Sequence, residues 1–228
     1  MKRLAILTGA GVSKESGIST FRDSDGLWEN YPVEQVASIE GWYRNPELML
    51  KFYNDRRDQL KDCKPNRAHE IIRELEEFFD VTVITQNIDN LHEKAGSSKI
   101  IHLHGLATQA RSERNPNQII DIGYDHIKMG DKAPDGSQLR PHIVWFGEAV
   151  PMMEKAAKAV EKADILLVVG TSLVVYPAAG LVNYIRYGNP IYLIDPQPMS
   201  IGYKQYAQIQ DVATKGMARF LEIAKTLL

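Results

Sequence analysis

Two hydrophobic patterns alternate along this chain. Short, unbroken apolar runs stand at Leu4–Leu7, Val81–Thr85, Lys99–Leu103, Ile165–Val169 and Ile191–Ile194, and each predicts a buried strand. Between them, apolar residues return every three or four positions. Ala68, Ile71, Ile72, Leu75, Phe78 and Phe79 form such a stripe, with Asn66 placed to cap the helix it predicts. Pro46-Glu47 opens another helix, carrying Leu48, Leu50, Phe52, Tyr53 and Leu60. A short one at Leu91–Ala95 is closed by Gly96. Met153, Ala156, Ala157 and Val160 mark a further helix, as do Pro177–Tyr187 and Met217–Leu228. Strands without a polar face, separated by helices, predict an α/β fold with a parallel sheet covered on both sides. Residues 107–140 break this rhythm. They are polar, with Asn115-Pro116-Asn117 and Pro134-Asp135-Gly136 as turn signals, and read as an insert forming part of a small lobe.

A sheet of this kind binds ligands at the carboxyl ends of its strands. After the first predicted strand comes Gly9-Ala10-Gly11, and after the second Gln86-Asn87-Ile88-Asp89. His104-Gly105, Gly170-Thr171-Ser172 and Asp195 follow the other three. Turn chemistry explains each group separately, but their gathering at one edge predicts a site. The stretch Thr8–Arg22 is the one the chain is organised around. Gly9, Ala10 and Gly11 let backbone N–H groups approach a phosphate, and a helix starting near Ser13 would aim its positive end at the same place. Lys14 stands where a dinucleotide fingerprint has its third glycine, so a dehydrogenase-type site fits poorly. Gly17, Phe21 and Arg22 continue the segment as a loop with one aromatic face and one cation. An ordinary strand–turn–helix junction accounts for the same residues.

Composition narrows the classes. At 228 residues and 44% apolar, the chain can build the core of one large domain, or of a domain with a smaller insert. A net charge of −2 gives no general attraction to nucleic acid or to an acidic membrane. No apolar run approaches the ~20 residues of a membrane span. Cys63 is the only cysteine, which excludes an internal disulfide and a Cys-rich zinc cluster. With no signal-peptide pattern at the start, this predicts a cytoplasmic protein. Of the six histidines, His104 has the strongest claim to chemistry. It closes a strand, precedes a glycine and falls on the ligand edge, where an imidazole suits a near-neutral base. His102, further from the strand end, reads as packed.

The blocks GAGVSKESGISTFR (Gly9–Arg22), TQNIDNLH (Thr85–His92), HLHG (His102–Gly105), PHIVWFGE (Pro141–Glu148) and GTS (Gly170–Ser172) resemble, in order, the signature blocks of the sirtuins. Sirtuins are NAD-dependent protein-lysine deacylases. This sequence is similar to the bacterial class III type, with desuccinylase and deacetylase activity, but lacks the zinc cysteines. The resemblance implies one catalytic domain over residues 1–228. Its large lobe, approximately 1–27, 65–106 and 141–228, would be a Rossmann-like parallel sheet with helices on both faces. Two insertions, approximately 28–64 and 107–140, would form the small lobe.

The resemblance also implies the site. NAD as cofactor would be bound by Gly9, Ala10, Gly11, Ser13, Gly17, Thr20, Phe21, Arg22, Trp28, Gln86, Asn87, Ile88, Asp89, His104, Gly170, Thr171, Ser172, Asp195 and Ala213. Its nicotinamide would lie near Ala10, Phe21, Asn87 and Asp89. His104 and Asn87 would be catalytic. In the family reaction the acyl-lysine oxygen attacks the ribose C1′ and nicotinamide leaves. A base then activates a ribose hydroxyl, and water releases free lysine and O-acyl-ADP-ribose. Val144, Trp145, Phe146, Gly147 and Glu148 would supply an apolar wall and an exposed backbone edge for an acyl-lysine peptide bound as an added strand. Acyl-lysine proteins or peptides are the expected partners, with no nucleic acid and no membrane. Tyr53 and Arg56 match the Y-x-x-R pair of sirtuins that prefer acidic acyl groups, and at i, i+3 they share a helix face.

The sequence departs from the family in two places. Most sirtuins hold a structural zinc on four cysteines of the small lobe, but residues 107–140 contain none, so no metal is expected. Packing of Ile119, Ile120, Ile122, Tyr124 and Ile127 would replace it. Asp195 stands where the family usually has Asn, and a carboxylate there would accept from ribose hydroxyls and disfavour a 2′-phosphate. Two other readings share this scaffold: a mono-ADP-ribosyltransferase, and a non-catalytic NAD or ADP-ribose sensor.

Overall fold

The structure, a computed structural model, describes residues 1–19, 31–202 and 205–228. In chain order the strands and α-helices are β1 Arg3–Thr8, α1 Val33–Val36, α2 Ile39–Arg44, α3 Pro46–Asp62, α4 Arg67–Glu74, β2 Asp80–Thr85, α5 Leu91–Ala95, β3 Ile100–His102, β4 Gly105–Ser112, β5 Ile119–Asp121, β6 Leu139–Ile143, α6 Met153–Lys162, β7 Ile165–Val169, β8 Ile191–Ile194, β9 Ala207–Ile209 and α7 Ala213–Lys225.

Five of these strands are the unbroken apolar runs, and their burial explains why they carry no polar face. Every residue of β7 is buried. Alternate side chains of β1 go to opposite faces of the sheet. Leu4 and Ile6 join Ile71, Ile72 and Leu75 from α4 and Met217 and Phe220 from α7. Ala5 and Leu7 join Ala156 and Val160 from α6, with Leu181 and Val182. The six-stranded sheet runs β3-β2-β1-β7-β8-β9, parallel throughout. The strand order reverses between β1 and β7, so the crevice outside their carboxyl ends is the topological switch point.

A second, antiparallel sheet has the order β5-β4-β6. It packs against α1–α3 through Val36, Trp42, Phe52, Tyr53, Ala110, Ile143 and Trp145. Asn45 caps α3 by accepting from Leu48 N, with Pro46 in the first turn, where a missing N–H does no harm. Asn66 begins α4 as a capping box, its partner being His69.

Several expectations need correction. No α-helix starts near Ser13. The chain instead makes two 3₁₀ turns, Ala10–Val12 and Lys14–Ser16, and Gly17 in the left-handed region ends them. Residues Pro177–Tyr187 form no α-helix either, only a 3₁₀ stretch at Ala178–Asn183. Gly180 at its centre disfavours the helix by about 1 kcal/mol relative to Ala. The terminal helix begins at Ala213 rather than Met217 and ends at Lys225.

The insert is held in part by the expected apolar set: Ile127 is buried in the cluster around Tyr53 and Trp145, Ile122 packs against it, and Tyr124 packs beside Leu60 and Leu91. Ile119 is 45% exposed, and of the expected set only Ile127 is fully buried. Polar bonds share that work. Ser112 Oγ donates to Asp135 Oδ2 at 2.5 Å and pairs with Ser137 Oγ at 2.8 Å. The Asn54 side chain takes both backbone groups of Ile127, each at 3.0 Å. Among the described residues no cluster of three His, Cys, Asp or Glu side chains could hold a metal ion.

Candidate active site

The two loops at the switch point interlock through glycine. Gly9 N donates to Val169 O at 3.1 Å and Gly11 N to Gly170 O at 2.8 Å. A Cβ on Gly9 would come 2.6 Å from Thr171 Cβ, and one on Gly11 would come 2.7 Å from Gly170 Cα. Gly170 has φ +63°, and its Cβ would meet Val12 N at 2.4 Å. The missing side chains therefore serve close approach of one loop to the other. Half-buried Thr171 accepts from Gln86 Nε2 at 3.1 Å, which ties the β7 loop to the β2 loop. Ser172 is exposed beside it.

Beneath this surface lies a chain of buried polar groups whose proton directions are fixed by chemistry. Asn66 N donates to His69 Nδ1 at 3.3 Å, so neutral His69 carries its proton on Nε2, which faces Ser13 Oγ at 3.4 Å. Ser13 Oγ also accepts from Asn87 Nδ2 at 3.1 Å and donates to Asp89 Oδ2 at 3.0 Å. Asp89 Oδ1 accepts from Leu91 N at 3.1 Å. Every donor in the chain leads to the Asp89 carboxylate. Burial pushes that carboxyl above its ordinary range, while the bonds from Leu91 N and Ser13 pull it back. Burial holds His69 down to about 4. His92 bonds Thr8 Oγ1 at 3.0 Å and packs edge-on to His69, with ring centroids 4.9 Å apart.

His104 follows β3, and its Nδ1 lies 3.0 Å from Gln86 O. A carbonyl only accepts, so the proton sits on Nδ1 and Nε2 presents its lone pair. Burial lowers this histidine below its ordinary range, against the raising effect of the Gln86 bond. His102 faces acceptors on both ring nitrogens, Asn87 O at 3.3 Å and Glu93 Oε1 at 2.6 Å, and braces the loop.

On α3, Tyr53 and Arg56 are buried, 2% and 7% exposed. Trp145 Nε1 donates to Tyr53 Oη at 2.8 Å. Arg56 reaches Gln59 Oε1 at 3.3 Å and Ser19 O at 3.5 Å, and its Nε has no partner.

The backbone of the run Val144–Glu148 is partly paired within the chain. Four of its N–H groups are paired: Val144 with His104 O, Trp145 with Glu148 Oε2, Phe146 with Ala37 O and Glu148 with Trp145 O. The Glu148 carboxylate turns inward, bonding Arg111 at 2.8 Å and Arg140 at 2.9 Å. Those cations hold it below the ordinary carboxylate range despite its burial. Phe146 is exposed, and Gly147 holds φ +89° beside Ile39.

Ala10 and Ile88 are half-buried at the same edge. Asp195, at the end of β8, accepts from Gln197 N at 2.9 Å through Oδ1. Ala213 is buried at the start of α7, where Glu15 takes the N–H and hydroxyl of Thr214 at 3.0 and 2.7 Å. Thr20, Phe21, Arg22 and Trp28 lie outside the described residues. Sequence reasoning passed over Thr8, Glu15, Asn66, His69 and His92 as site residues. Asn66-Arg67-Ala68-His69 carried a signal, since a histidine at the third helical position can reach back to its cap.

Residues 9–177 match the Sir2 family. An NAD-dependent protein deacylase of Bacteroides thetaiotaomicron is 57% identical over 233 residues, spanning 100% of this chain and 98% of that protein. One from Helicobacter pylori is 51% identical over 208 residues, spanning 91% of this chain and 90% of that protein. A Sir2 homologue solved as its NAD complex superposes with a TM-score of 0.89 at 38% identity, covering 99% of this chain and 90% of that one. A likeness that runs the length of the molecule, in sequence and in backbone alike, places this chain in the Sir2 family.

Proposed function

We propose that this protein is an NAD-dependent protein deacylase, acting on acyl-lysine side chains of proteins and accepting succinyl and malonyl as well as acetyl groups. Its curated relatives from B. thetaiotaomicron and H. pylori carry the name NAD-dependent protein deacylase. The observation that carries the reading is His104. Its Nδ1 is tied to Gln86 O, it is neutral near pH 7, and it stands at the carboxyl edge beside the switch point.

The donor set at that edge fits NAD. Gln86, Thr171 and Ser172 offer amide and hydroxyl groups on loops that their glycines hold together. Asp195 offers a carboxylate for ribose hydroxyls and would repel a 2′-phosphate. NAD supplies a ribose carbon that can exchange nicotinamide for an acyl oxygen. The protein's part is to hold and direct. The Ser13–Asp89–Asn87 group fixes hydrogen-bonding partners under the edge, and His104 Nε2 takes a proton from a hydroxyl within reach.

Tyr53 and Arg56 support the acidic acyl preference. A carboxylate bonded by a guanidinium and a phenol gains about 1.5–3 kcal/mol per charged bond, roughly 10- to 150-fold in selectivity. Among the described residues no helix is long and apolar enough to cross a membrane. The lone cysteine favours a reducing, cytoplasmic setting.

Nicotinamide release, measured with NAD and matched acetyl-, succinyl- and unmodified-lysine peptides, tests the reading. Release that needs an acylated peptide and disappears in His104→Ala is expected. Release with transfer of ADP-ribose to protein would replace the reading with a mono-ADP-ribosyltransferase. NAD binding without release would leave a sensor.

A further inference from the structure

Trp145 does more than line a wall. Its indole N–H donates to Tyr53 Oη at 2.8 Å. An indole N–H can only donate, so the phenol oxygen is the acceptor in this bond and must aim its own proton elsewhere. That proton stays in place, because burial pushes Tyr53 well above the ordinary tyrosine range. One turn along the same face, Arg56 is 7% exposed and its Nε has no hydrogen-bond partner. Its other nitrogens reach neutral oxygens, Gln59 Oε1 and Ser19 O. Among the described residues, two neighbouring side chains thus hold donor capacity that no protein group uses.

Trp145 is fixed from both sides. Its backbone N–H donates to Glu148 Oε2 at 2.9 Å. The Arg140 guanidinium lies 3.6 Å from the centre of its ring and bonds Glu148 and Ile143 O. The indole cannot swing away without losing both its stacking contact with Arg140 and its bond to Tyr53.

We propose that Trp145 is a positioning residue for acyl selectivity, fixing Tyr53 as an obligate donor so that Tyr53 and Arg56 together present N–H and O–H groups to a carboxylate at the end of the acyl chain. This rests on the deacylase reading above and on its acidic acyl preference. Without the indole N–H, the Tyr53 hydroxyl can turn its proton into the vacated space and offer lone pairs to the substrate, which a carboxylate rejects.

The test is Trp145→Phe, which keeps an aromatic ring and removes the donor. The ratio of kcat/KM for succinyl- over acetyl-lysine peptide should fall about 3- to 10-fold, the worth of one hydrogen bond, mainly through KM. In the double variant with Tyr53→Phe, the ratio should be no lower than in Tyr53→Phe alone, because both changes remove the same donor. An unchanged ratio in Trp145→Phe, or effects that add in the double variant, would overturn the inference. A wild-type enzyme that deacetylates but shows no succinyl activity would instead remove the acyl reading on which it stands.

Should Trp145→Phe fold poorly, the indole N–H resonance of Trp145 in the wild-type protein gives the same answer. It should shift when succinyl-lysine peptide binds and shift less with acetyl-lysine peptide. Equal shifts with both would count against the proposal.

Discussion

Ser13 donates its hydroxyl proton to Asp89 at 3.0 Å while accepting from Asn87 at 3.1 Å. The carboxylate at the end of this chain is buried, and burial raises its pKa. A raised folded-state pKa means that holding the charge costs stability, a cost that builds as pH rises from the ordinary carboxylate value to the raised one. Asp89→Asn removes that cost but turns an amide NH2 towards one of the donors, Ser13 or Leu91, so it should lower nicotinamide release while changing stability at pH 7 by no more than about 1 kcal/mol. Urea unfolding and the release assay on the same preparation check both halves. A variant less stable by more than that would show that the bonds from Ser13 and Leu91 outweigh the cost of burial.

His69 and His92 make the fold sensitive to acid. Burial lowers His69 to about 4 and His92 well below its ordinary value. The unfolded chain takes up protons at these sites near pH 6.5, and the folded one does not until much lower. Stability should therefore be full above about pH 6.5 and fall towards pH 4, by up to about 3 kcal/mol for His69 alone. Urea midpoints at pH 7, 6 and 5 give the slope, and His69→Gln should flatten it.

Much of this was readable beforehand, for identifiable reasons. The strands β1, β2, β7 and β8 lie in the middle of the sheet with helices on both faces, so aliphatic and β-branched residues dominate them and they announce themselves. Asn87 stood out because it follows β2, and His104 because it follows β3 at the same edge. The small sheet gave no such signal. Strand β5 shows its faces to solvent, and β4 and β6 hold polar residues that pair across the insert, such as Ser112 and Arg140. Ser13 was misread as a helix start because the polarity that suits a helix cap is here spent on Asp89 and Asn87. Glu148 looked like part of a surface, although its partners Arg111 and Arg140 lie on other strands and no local spacing reveals them.

Glycine 170 offers a sharper test of loop packing. A methyl group there meets Val12 N at 2.4 Å, and the backbone sits at φ +63°. Left-handed backbone costs a non-glycine residue roughly 1–2 kcal/mol, and forced overlap costs about 1–3 more. Gly170→Ala should lose about 2–4 kcal/mol of stability by denaturant unfolding. Gly17→Ala carries the conformational penalty alone, since φ is +85° and nothing lies within 4 Å of its Cβ. A loss about half as large is expected there. Equal losses would mean that the two loops can part without cost.

Arg56→Met removes the guanidinium and keeps an apolar stem. Arg56 carries its charge under a desolvation penalty, so the change should not weaken the fold by more than about 1 kcal/mol. The succinyl-to-acetyl ratio of kcat/KM should fall roughly 10- to 150-fold. An equal fall in both activities would place Arg56 in the scaffold of α3 rather than against the acyl chain.

The pH profile of His104 brings the site's chemistry to one number. Its Nδ1 proton is held by Gln86 O, so the neutral ring is the form able to accept a proton at Nε2. Burial lowers its pKa, and the Gln86 bond only partly restores it. For a base with a depressed pKa, activity rises with pH and levels off early. The acid limb of kcat/KM should therefore have its midpoint below the ordinary histidine value of about 6.5, leaving the rate flat from there to pH 8. His104→Ala should abolish that limb and reduce deacylation by a factor on the order of 10²–10⁴, the usual worth of a positioned base. A limb centred above about 6.5 would require a buried anion near the ring once NAD is bound, since burial alone moves the midpoint only downward.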